Sequence, residues 1–245
     1  MLIDEFPRQL IDWIQNSVLN MGCKGVVLGM SGGIDSSVVA VLCKYAFPDN
    51  ILGIIMPCHS NDIDREHAQN LADKFTIPVK TVGLDEVYNT FKKAVFFNGK
   101  DLDRIKSAES NIKPRLRMAT LYYYANLFNY TVVGATNRSE LEVGYFTKYG
   151  DGGVDIMPIA MLVKMQVQQL AVYLGIPPEI LNKAPSAGLW DGQTDEEEMG
   201  LLYEELDRYI LTGEGSTAVK ARIDILSGKN RHKKSLPIVP DFTIG

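Results

Sequence analysis

Residues 26–39 read Val-Val-Leu-Gly-Met-Ser-Gly-Gly-Ile-Asp-Ser-Ser-Val-Val. A β-branched apolar run leads into a glycine-rich turn and then into an apolar run with helical spacing, so the pattern predicts a strand, a loop and a helix. Gly32 and Gly33 have no Cβ, which lets the chain bend sharply and bring its N–H groups close to an anion. The first helical turn adds N–H donors, and Ser36 and Ser37 add hydroxyls. The segment therefore predicts a binding site for an oligophosphate.

Three other loop motifs compete for these residues. A Walker A loop needs a lysine where Asp35 stands, and a dinucleotide-binding loop needs a glycine where Ser31 stands, so both match poorly. Gly29–Gly33 does satisfy the Gly-x-Ser-x-Gly pattern of the α/β-hydrolase nucleophile elbow. Under that alternative Ser31 is the nucleophile, and a later aspartate and His232 complete a triad. A non-catalytic sensor of adenine nucleotides is a further hypothesis, because the same loop could bind ATP without turnover.

Strand and helix patterns alternate along the first half of the chain. Apolar runs that end at turn residues predict further strands at Ile51–Met56, Ile77–Val82 and Tyr130–Thr136. Segments with helical spacing separate them, which is typical of parallel βαβ units. We therefore expect an α/β fold with one doubly wound, Rossmann-like parallel sheet flanked by helices, forming a single domain over residues 1–245.

Some local predictions concern the connections. Val87, Phe91, Ala94 and Val95 lie at helical spacing and predict the apolar packing stripe of a helix. The charged segment Lys100–Lys106 predicts a surface loop, and Asp155–Ile159 is interpreted as a short edge strand.

The later part of the chain predicts a loop and then a long helix. Glycines and a proline in residues 184–194 predict a lid that orders over the ligands. Thr194 and Glu197 match a capping box at the start of a predicted helix, Asp195–Leu211. The acidic run Asp195–Glu198 is therefore interpreted as a first turn matched to the helix dipole, and not as a metal site.

Composition excludes several classes of protein. The 245 residues carry a formal net charge of −5, which disfavours a nucleic-acid-binding surface. The three cysteines stand at no metal-ligand spacing, and their odd number fits a reducing cytoplasm. No apolar run approaches the length of a membrane span, and the acidic N-terminal segment does not match a signal peptide. We expect a cytoplasmic protein that binds neither nucleic acid nor membranes.

Five segments together resemble one family. They are Ser31–Ser36, Lys113–Met118, Phe146–Gly153, Lys183–Trp190 and the pair His232 and Lys233. Over nearly its whole length the chain resembles the bacterial ammonia-dependent NAD synthetases, a branch of the N-type ATP pyrophosphatases. The resemblance implies an adenine nucleotide alpha hydrolase-like fold. It also implies that ATP adenylates the nicotinate carboxylate of deamido-NAD with release of pyrophosphate, after which ammonia displaces AMP to give NAD.

The same resemblance implies roles for single residues, a magnesium cofactor and a homodimer with deamido-NAD near the subunit interface. Asp35 and Glu140 would hold Mg²⁺. The ion, shared with the phosphates, would also relieve the repulsion between Asp35 and the phosphates. The catalytic residues would be Asp35, Lys164 and Asp151. ATP would contact Gly29, Met30, Ser31, Gly32, Gly33, Ile34, Asp35, Ser36, Ala135, Thr136, Lys164 and Ser186. Deamido-NAD would contact Arg115, Lys148 and Asp155, and the substrate-binding pair that faces ATP or the adenylate would be His232 and Lys233.

Overall fold

A computed structural model describes residues 5–186, 188–190 and 192–240. Its sheet contains the strands β1 (Gly25–Gly29), β2 (Ile51–Ile55), β3 (Val79–Thr81) and β4 (Tyr130–Val133). Each strand runs parallel to its neighbours, in the order β3–β2–β1–β4. The predicted α/β class and the parallel sheet are confirmed.

Helices form most of the other regular structure. Up to β4 they are α1 (Phe6–Asn20), α2 (Ile34–Ala46), α3 (Asp62–Phe75), α4 (Asp85–Ala94), α5 (Leu102–Ser110) and α6 (Ile112–Phe128). After β4 they are α7 (Arg138–Val143), α8 (Lys164–Tyr173), α9 (Pro178–Leu181), α10 (Asp195–Met199), α11 (Tyr203–Thr212) and α12 (Thr217–Asn230), with a 3₁₀ turn at Arg231–Lys233. Among the helices described, none is long and apolar enough to cross a membrane.

Apolar layers cover both faces of the sheet. On one face α1, α2, α3 and α8 pack around a core that includes Val26 and Val39, and on the other α4 and α6 pack around Val27 and Leu121. Because both of its faces are covered, β1 is a continuous apolar run and does not alternate with polar residues. A third apolar cluster joins α7, α10, α11 and α12 beside the sheet.

The chain reverses its winding direction at β1. β2 and β3 are added on one side of β1, whereas β4 is added on the other, so that Val26 pairs with both Ile51 and Thr131. In open parallel sheets a crevice forms at such a reversal, outside the carboxyl ends of the strands. The glycine-rich loop that follows β1 opens into this crevice, and the fold therefore positions it for ligand binding.

Two predictions about α4 and α5 are wrong. The segment Lys100–Lys106 is not a loop but contains the start of α5, whose first turn is capped by an aspartate side chain. The stripe Val87, Phe91 and Val95 is about half exposed, and α4 instead buries Tyr88 against α6. Helical spacing identified the helix but not the face that packs.

Two later predictions also differ from the structure. Asp155–Ile159 is not an edge strand, since only Ile156 forms a bridge, to Val133. The single helix predicted over Asp195–Leu211 is two helices, because Gly200 adopts a φ of 63° and ends α10 in the left-handed conformation. The chain then turns before α11, and this turn brings the start of α11 close to α7.

Candidate active site

A cleft of about 940 Å³ lies at the carboxyl ends of the strands. Gly29 at the end of β1, Met56 after β2 and Gly134 after β4 line it. Of the predicted site residues, the lining includes Gly29, Met30, Ser31, Gly33, Ile34, Asp35, Ser36, Ala135, Thr136, Glu140, Asp151, Lys164, Ser186, His232 and Lys233. A smaller cavity of about 410 Å³ near α10 and α11 is lined by none of the residues that were predicted to bind ATP, deamido-NAD or magnesium. The larger cleft is therefore the candidate active site.

The loop after β1 has the geometry of an anion-binding loop. Gly32 has a φ of 73°, and a Cβ there would clash with the backbone carbonyl of Asp64, so this position requires glycine. Ser36 Oγ accepts a hydrogen bond from Ser31 N at 3.3 Å and lies 2.8 Å from Ser31 Oγ, which ties the loop to α2. Gly33, the N-cap of α2, has no side chain to bond the first N–H groups of the helix. Those donors and the helix dipole are available to a phosphate.

Three charged side chains from distant parts of the chain meet beside this loop. Lys164 Nζ lies 2.5 Å from Asp35 Oδ2 and 3.8 Å from Glu140 Oε1. Asn137 Nδ2 donates to Asp35 Oδ1 at 3.0 Å, and Asn137 Oδ1 caps α7 by accepting from Glu140 N. The first turns of α2, α7 and α8 thus bring one lysine and two carboxylates to the same place.

Burial and charge set the protonation of this group. Lys164 is 3% exposed, and burial alone would lower its pKa. The Asp35 and Glu140 carboxylates outweigh burial and raise the Lys164 pKa above the ordinary lysine value, so the ammonium is charged at neutral pH. Burial, and after it the nearby Asp35, raises the pKa of Glu140 to about 8, although Lys164 opposes them. An additional cation at this place would stabilise the ionised form of Glu140.

Tyr145, Asp195 and Glu198 also line the cleft, and Tyr203 of α11 lies behind them. Tyr203 Oη lies 3.4 Å from Glu140 Oε1 and 3.2 Å from Asp195 Oδ2. Tyr145 Oη donates to Glu198 Oε2 at 2.8 Å. Burial raises the pKa of both tyrosines, so they act as neutral hydroxyls. This group extends the site from the Lys164 cluster toward α10.

Two further cations line the cleft, and each is held by neutral acceptors of the protein. Arg117 of α6 donates to Met56 O at 3.2 Å and to Ser60 Oγ at 3.1 Å. Lys233, which follows α12, donates to Gly144 O at 2.9 Å. Because their bonds within the protein go to neutral acceptors, both keep positive charge that can balance a ligand with several phosphates.

Four predicted residues do not line the cleft of the single chain: Gly32, Arg115, Lys148 and Asp155. Arg115 is exposed. It stands two positions before Arg117 on α6, and residues two positions apart lie on different faces of a helix. Asp155 accepts from Tyr122 Oη at 2.9 Å and from Val132 N at 2.8 Å, so it joins the segment after β4 to that strand and to α6. Contacts of Arg115, Lys148 and Asp155 with deamido-NAD stay predictions, as does the contact of Gly32 with ATP.

The carboxylates present fit a magnesium ion that arrives with ATP. Mg²⁺ is commonly bound by one or two carboxylates together with phosphate oxygens and water. Asp35 and Glu140 supply two such carboxylates, both within 3.8 Å of the same lysine nitrogen. Within the described ranges, no group of three or more His, Cys, Asp or Glu side chains could hold a metal. The donor set therefore matches an ion shared with phosphates better than one bound by protein alone.

The surroundings of Ser31 do not support the serine hydrolase alternative. Ser31 Oγ accepts from Gly33 N at 3.2 Å and lies close to Ser36 Oγ, and neither partner is a base. A nucleophilic serine needs a histidine within hydrogen-bond reach. No histidine takes part in the hydrogen bonds that the described structure assigns to Ser31.

Part of the predicted lid lines the cleft, at Ser186, Gly188, Leu189 and Trp190. Leu189 O accepts from Lys113 Nζ at 2.8 Å, and Lys106 Nζ stands 4.6 Å from the centroid of the Trp190 ring. Leu189 N donates to Gln193 Oε1 at 2.8 Å. Residues 187 and 191 of this segment lie outside the described residues. Leu189 and Trp190 thus connect the segment to α5 and α6, while Gln193 bonds it to itself.

We expect a protease to cut within residues 184–194 of the free protein and to cut there much more slowly when ATP and deamido-NAD are both bound. The reason is that the adenylate must be kept from water, so the ligands should order this segment. Limited proteolysis followed by mass spectrometry measures the cleavage. The exposed segment around Phe96 and Phe97, which does not line the cleft, is the internal control and should be cut equally in both states. Equal cleavage of residues 184–194 in the two states would refute the lid.

Several residues that hold the site together were missed from the sequence. Ser139 Oγ donates to Asp207 Oδ1 at 2.5 Å, and Asp207 Oδ2 accepts from Met165 N at 2.7 Å, so Asp207 fixes the start of α8 and with it Lys164. No local pattern reveals this contact, because α11 and α8 are far apart in the sequence. Asn137 could have been found, since an asparagine three residues before a glutamate is a capping-box pattern.

Comparison with known proteins places the chain in a family. A family model described as NAD synthase matches residues 7–237. An NH(3)-dependent NAD(+) synthetase of Carboxydothermus hydrogenoformans is 48% identical over 237 residues, 97% of each chain. Among solved structures, NMN synthetase from Francisella tularensis matches with a TM-score of 0.93 at 37% identity, over 99% of this chain and 100% of its own. NH3-dependent NAD synthetase from Campylobacter jejuni matches with a TM-score of 0.81 at 30% identity, over 98% of this chain and 100% of its own. The chain belongs to the NAD synthase family.

Proposed function

We propose that this chain uses ATP and ammonia to convert the nicotinate carboxylate of deamido-NAD into the carboxamide of NAD, with AMP and pyrophosphate as the other products. The observation that carries the proposal is the meeting of Asp35, Glu140 and Lys164 beside the glycine-rich loop, in a chain of the NAD synthase family. A phosphate-binding loop next to two carboxylates and a buried lysine is suited to nucleotidyl transfer, in which positioned charge does most of the work.

The residues of the cleft divide the first step between them. The loop after β1 and the first turn of α2 bind the phosphates through backbone N–H groups. Mg²⁺ held by Asp35, Glu140 and the phosphates would screen the repulsion that opposes attack of a carboxylate at the α-phosphorus. Lys164 adds positive charge that is fixed before substrate arrives, so no reorganisation is needed during the reaction. The substrate carboxylate then bonds to the α-phosphorus, pyrophosphate leaves, and AMP becomes the leaving group for the second step.

We also propose that the protein is a cytoplasmic homodimer. Free cysteines support the cytoplasm, since Cys23, Cys43 and Cys58 form no disulfide. The exposure of Arg115 and Asp155 outside the cleft supports a deamido-NAD site completed near a second subunit. Analytical ultracentrifugation tests the dimer, and a monomer that is fully active at the same concentration would contradict it.

Nicotinate mononucleotide is a second candidate acceptor, and the name of one solved relative favours it. The Francisella tularensis protein, with its TM-score of 0.93, is named an NMN synthetase, which denotes amidation of the mononucleotide. Both acceptors carry the same nicotinate carboxylate, so the Asp35, Glu140 and Lys164 cluster does not distinguish them. The name of the Carboxydothermus hydrogenoformans protein favours the dinucleotide.

One experiment tests the activity and chooses the acceptor. The purified protein is incubated with magnesium, ATP and ammonium, together with either deamido-NAD or nicotinate mononucleotide whose carboxylate carries oxygen-18. Formation of NAD, with one labelled oxygen in AMP, supports the main proposal. A higher kcat/KM for the mononucleotide would show that the mononucleotide is the preferred acceptor, while the proposed adenylation and amidation would stand. Formation of ADP and phosphate instead of AMP and pyrophosphate would overturn the proposed function.

The nitrogen source gives a pH prediction. We expect the apparent KM for total ammonium to fall as pH rises and to become roughly constant when it is expressed as free ammonia. The reason is that only the unprotonated form has a lone pair to attack the adenylate. Initial rates over a range of pH and ammonium concentration measure this dependence. If glutamine supports amide formation as well as ammonium does with this chain alone, the assignment of ammonia is wrong.

A further inference from the structure

Asp195 holds a buried carboxylate oxygen that the fold leaves without a partner. The side chain is at the first position of α10, is 4% exposed and lines the cleft. Its Oδ2 accepts from Tyr203 Oη at 3.2 Å, whereas Oδ1 is buried and has no hydrogen-bond partner in the described structure. A buried carboxylate oxygen without a donor is costly, so such an atom in a ligand cleft points to a donor supplied by a ligand.

The neighbours of Asp195 cannot easily supply the missing donor. Tyr145 lies beside it, but its only hydroxyl hydrogen is donated to Glu198 Oε2 at 2.8 Å. Gln193 Nε2 also donates to Glu198 Oε2, at 2.7 Å. The hydroxyl of Tyr203 is already engaged with Oδ2 of Asp195. The free oxygen is therefore available to accept from an N–H or O–H group of a molecule that enters the cleft.

The charge around Asp195 favours a ligand that carries or develops positive charge. Asp35, Glu140, Asp195 and Glu198 line this part of the cleft, while Lys164 is the cation that bonds Asp35. Tyr203 Oη connects Asp195 Oδ2 to Glu140 Oε1 by hydrogen-bond distances of 3.2 and 3.4 Å, whereas Asp195 Oδ1 takes part in no hydrogen bond with the proposed magnesium ligands in the described structure. A metal of its own does not fit, since no three metal-ligating side chains are grouped in the described structure.

We propose that Asp195 Oδ1 binds the ammonia that attacks the adenylate. This assignment rests on the proposed function. It gives a role in the second step, amide formation, to a residue outside the Asp35, Glu140 and Lys164 cluster. One N–H of ammonia donates to Oδ1, which leaves the nitrogen lone pair free to point at the acyl carbon. As the C–N bond forms, the nitrogen becomes positive and the carboxylate stabilises it. The nitrogen then passes a proton to Asp195 and on to solvent, and the C–O bond to AMP breaks with its electron pair leaving on AMP.

The environment of Asp195 suits a proton acceptor. Burial raises the pKa of its carboxyl above the ordinary aspartate value, and the nearby charge of Lys164 opposes the rise. A more basic carboxylate takes a proton from an attacking amine more readily. Tyr203 Oη fixes the other oxygen, so the orientation of Oδ1 is set before ammonia enters.

Measuring adenylate formation and amide formation separately distinguishes ammonia binding by Asp195 from a merely structural role. In Asp195→Asn, which keeps the shape of the side chain and an acceptor for Tyr203, we expect the exchange of pyrophosphate into ATP, measured without ammonium, to stay within about twofold of wild type. Amide formation at saturating ATP should fall by about 100-fold, the scale of losing a general base. Rapid quenching should then show the adenylate accumulating in the variant.

Glu197→Gln is the matched control. It removes one carboxylate from the same first turn of α10, but Glu197 is exposed and does not line the cleft, so both half-reactions should match wild type. Asp195→Ser, tested in the same way, covers the case that the asparagine variant does not fold. The proposal is overturned if amide formation in a folded variant is unchanged, or if exchange and amide formation fall together. Absence of exchange in the wild-type protein would instead count against the proposed function itself.

Discussion

Replacing Asp35 with asparagine should lower turnover by about 100- to 1,000-fold while the protein stays folded. Asp35 bonds Lys164 at 2.5 Å and accepts from Asn137 at 3.0 Å, so it lies where two helices and the phosphate loop meet. An amide cannot bind Mg²⁺ as a carboxylate does, and the developing charge at the phosphates would lose its screening. Steady-state formation of AMP and NAD, at saturating and at limiting magnesium, measures the effect.

Two comparisons make that result specific. Glu140→Gln should produce a loss of the same kind, because Glu140 is the second proposed ligand and lies 3.8 Å from the same lysine. Asp12→Asn, at an exposed position of α1, is the control and should leave turnover unchanged. If Asp35→Asn keeps near-native activity at limiting magnesium, Asp35 does not bind the ion.

Replacing Lys164 with methionine should destabilise the protein by roughly 3–5 kcal/mol, the usual cost of removing one partner from a buried ion pair. The lysine side chain is 3% exposed, and it leaves behind two carboxylates that are 17% and 15% exposed. Lost charge at the phosphates should also abolish most activity. Chemical denaturation, followed by circular dichroism, measures the free energy of unfolding without ligands.

The loss of stability in Lys164→Met should depend on pH. Without the ammonium, which opposes the effect of burial, the folded-state pKa of Glu140 should rise still further above its unfolded value. The folded variant would then hold protons that the unfolded chain has released, so its stability should fall as pH rises. We therefore expect a larger difference from wild type at about pH 9 than at about pH 6. Lys93→Met, at an exposed position of α4, should show neither effect, and a loss below about 1 kcal/mol for Lys164→Met would contradict the argument.

The match between expectation and structure was best where the cause is local. The run before Gly29 became a buried strand, and Gly32 took the positive φ that a sharp turn requires. Three other predicted strands, Ile51–Met56, Ile77–Val82 and Tyr130–Thr136, each contain an observed strand, because apolar runs bounded by turn residues have few alternatives in an α/β chain. The predicted edge strand at Asp155–Ile159 is reduced to a single bridge. Where two faces of one helix were possible, local pattern failed, as with Val87 and Phe91 on α4.

Sequence by itself thus determined the α/β class, the parallel sheet and the phosphate loop after β1. It also provided the resemblance that marked Asp35, Glu140 and Lys164. Only the tertiary structure decided which side chains meet: Lys164 reaches Asp35 across 129 positions of the chain. It also placed Asp195 in the cleft with an oxygen left free. The physical reason is that spacing of apolar residues encodes which face of an element is buried, whereas contacts between polar side chains depend on how whole elements pack.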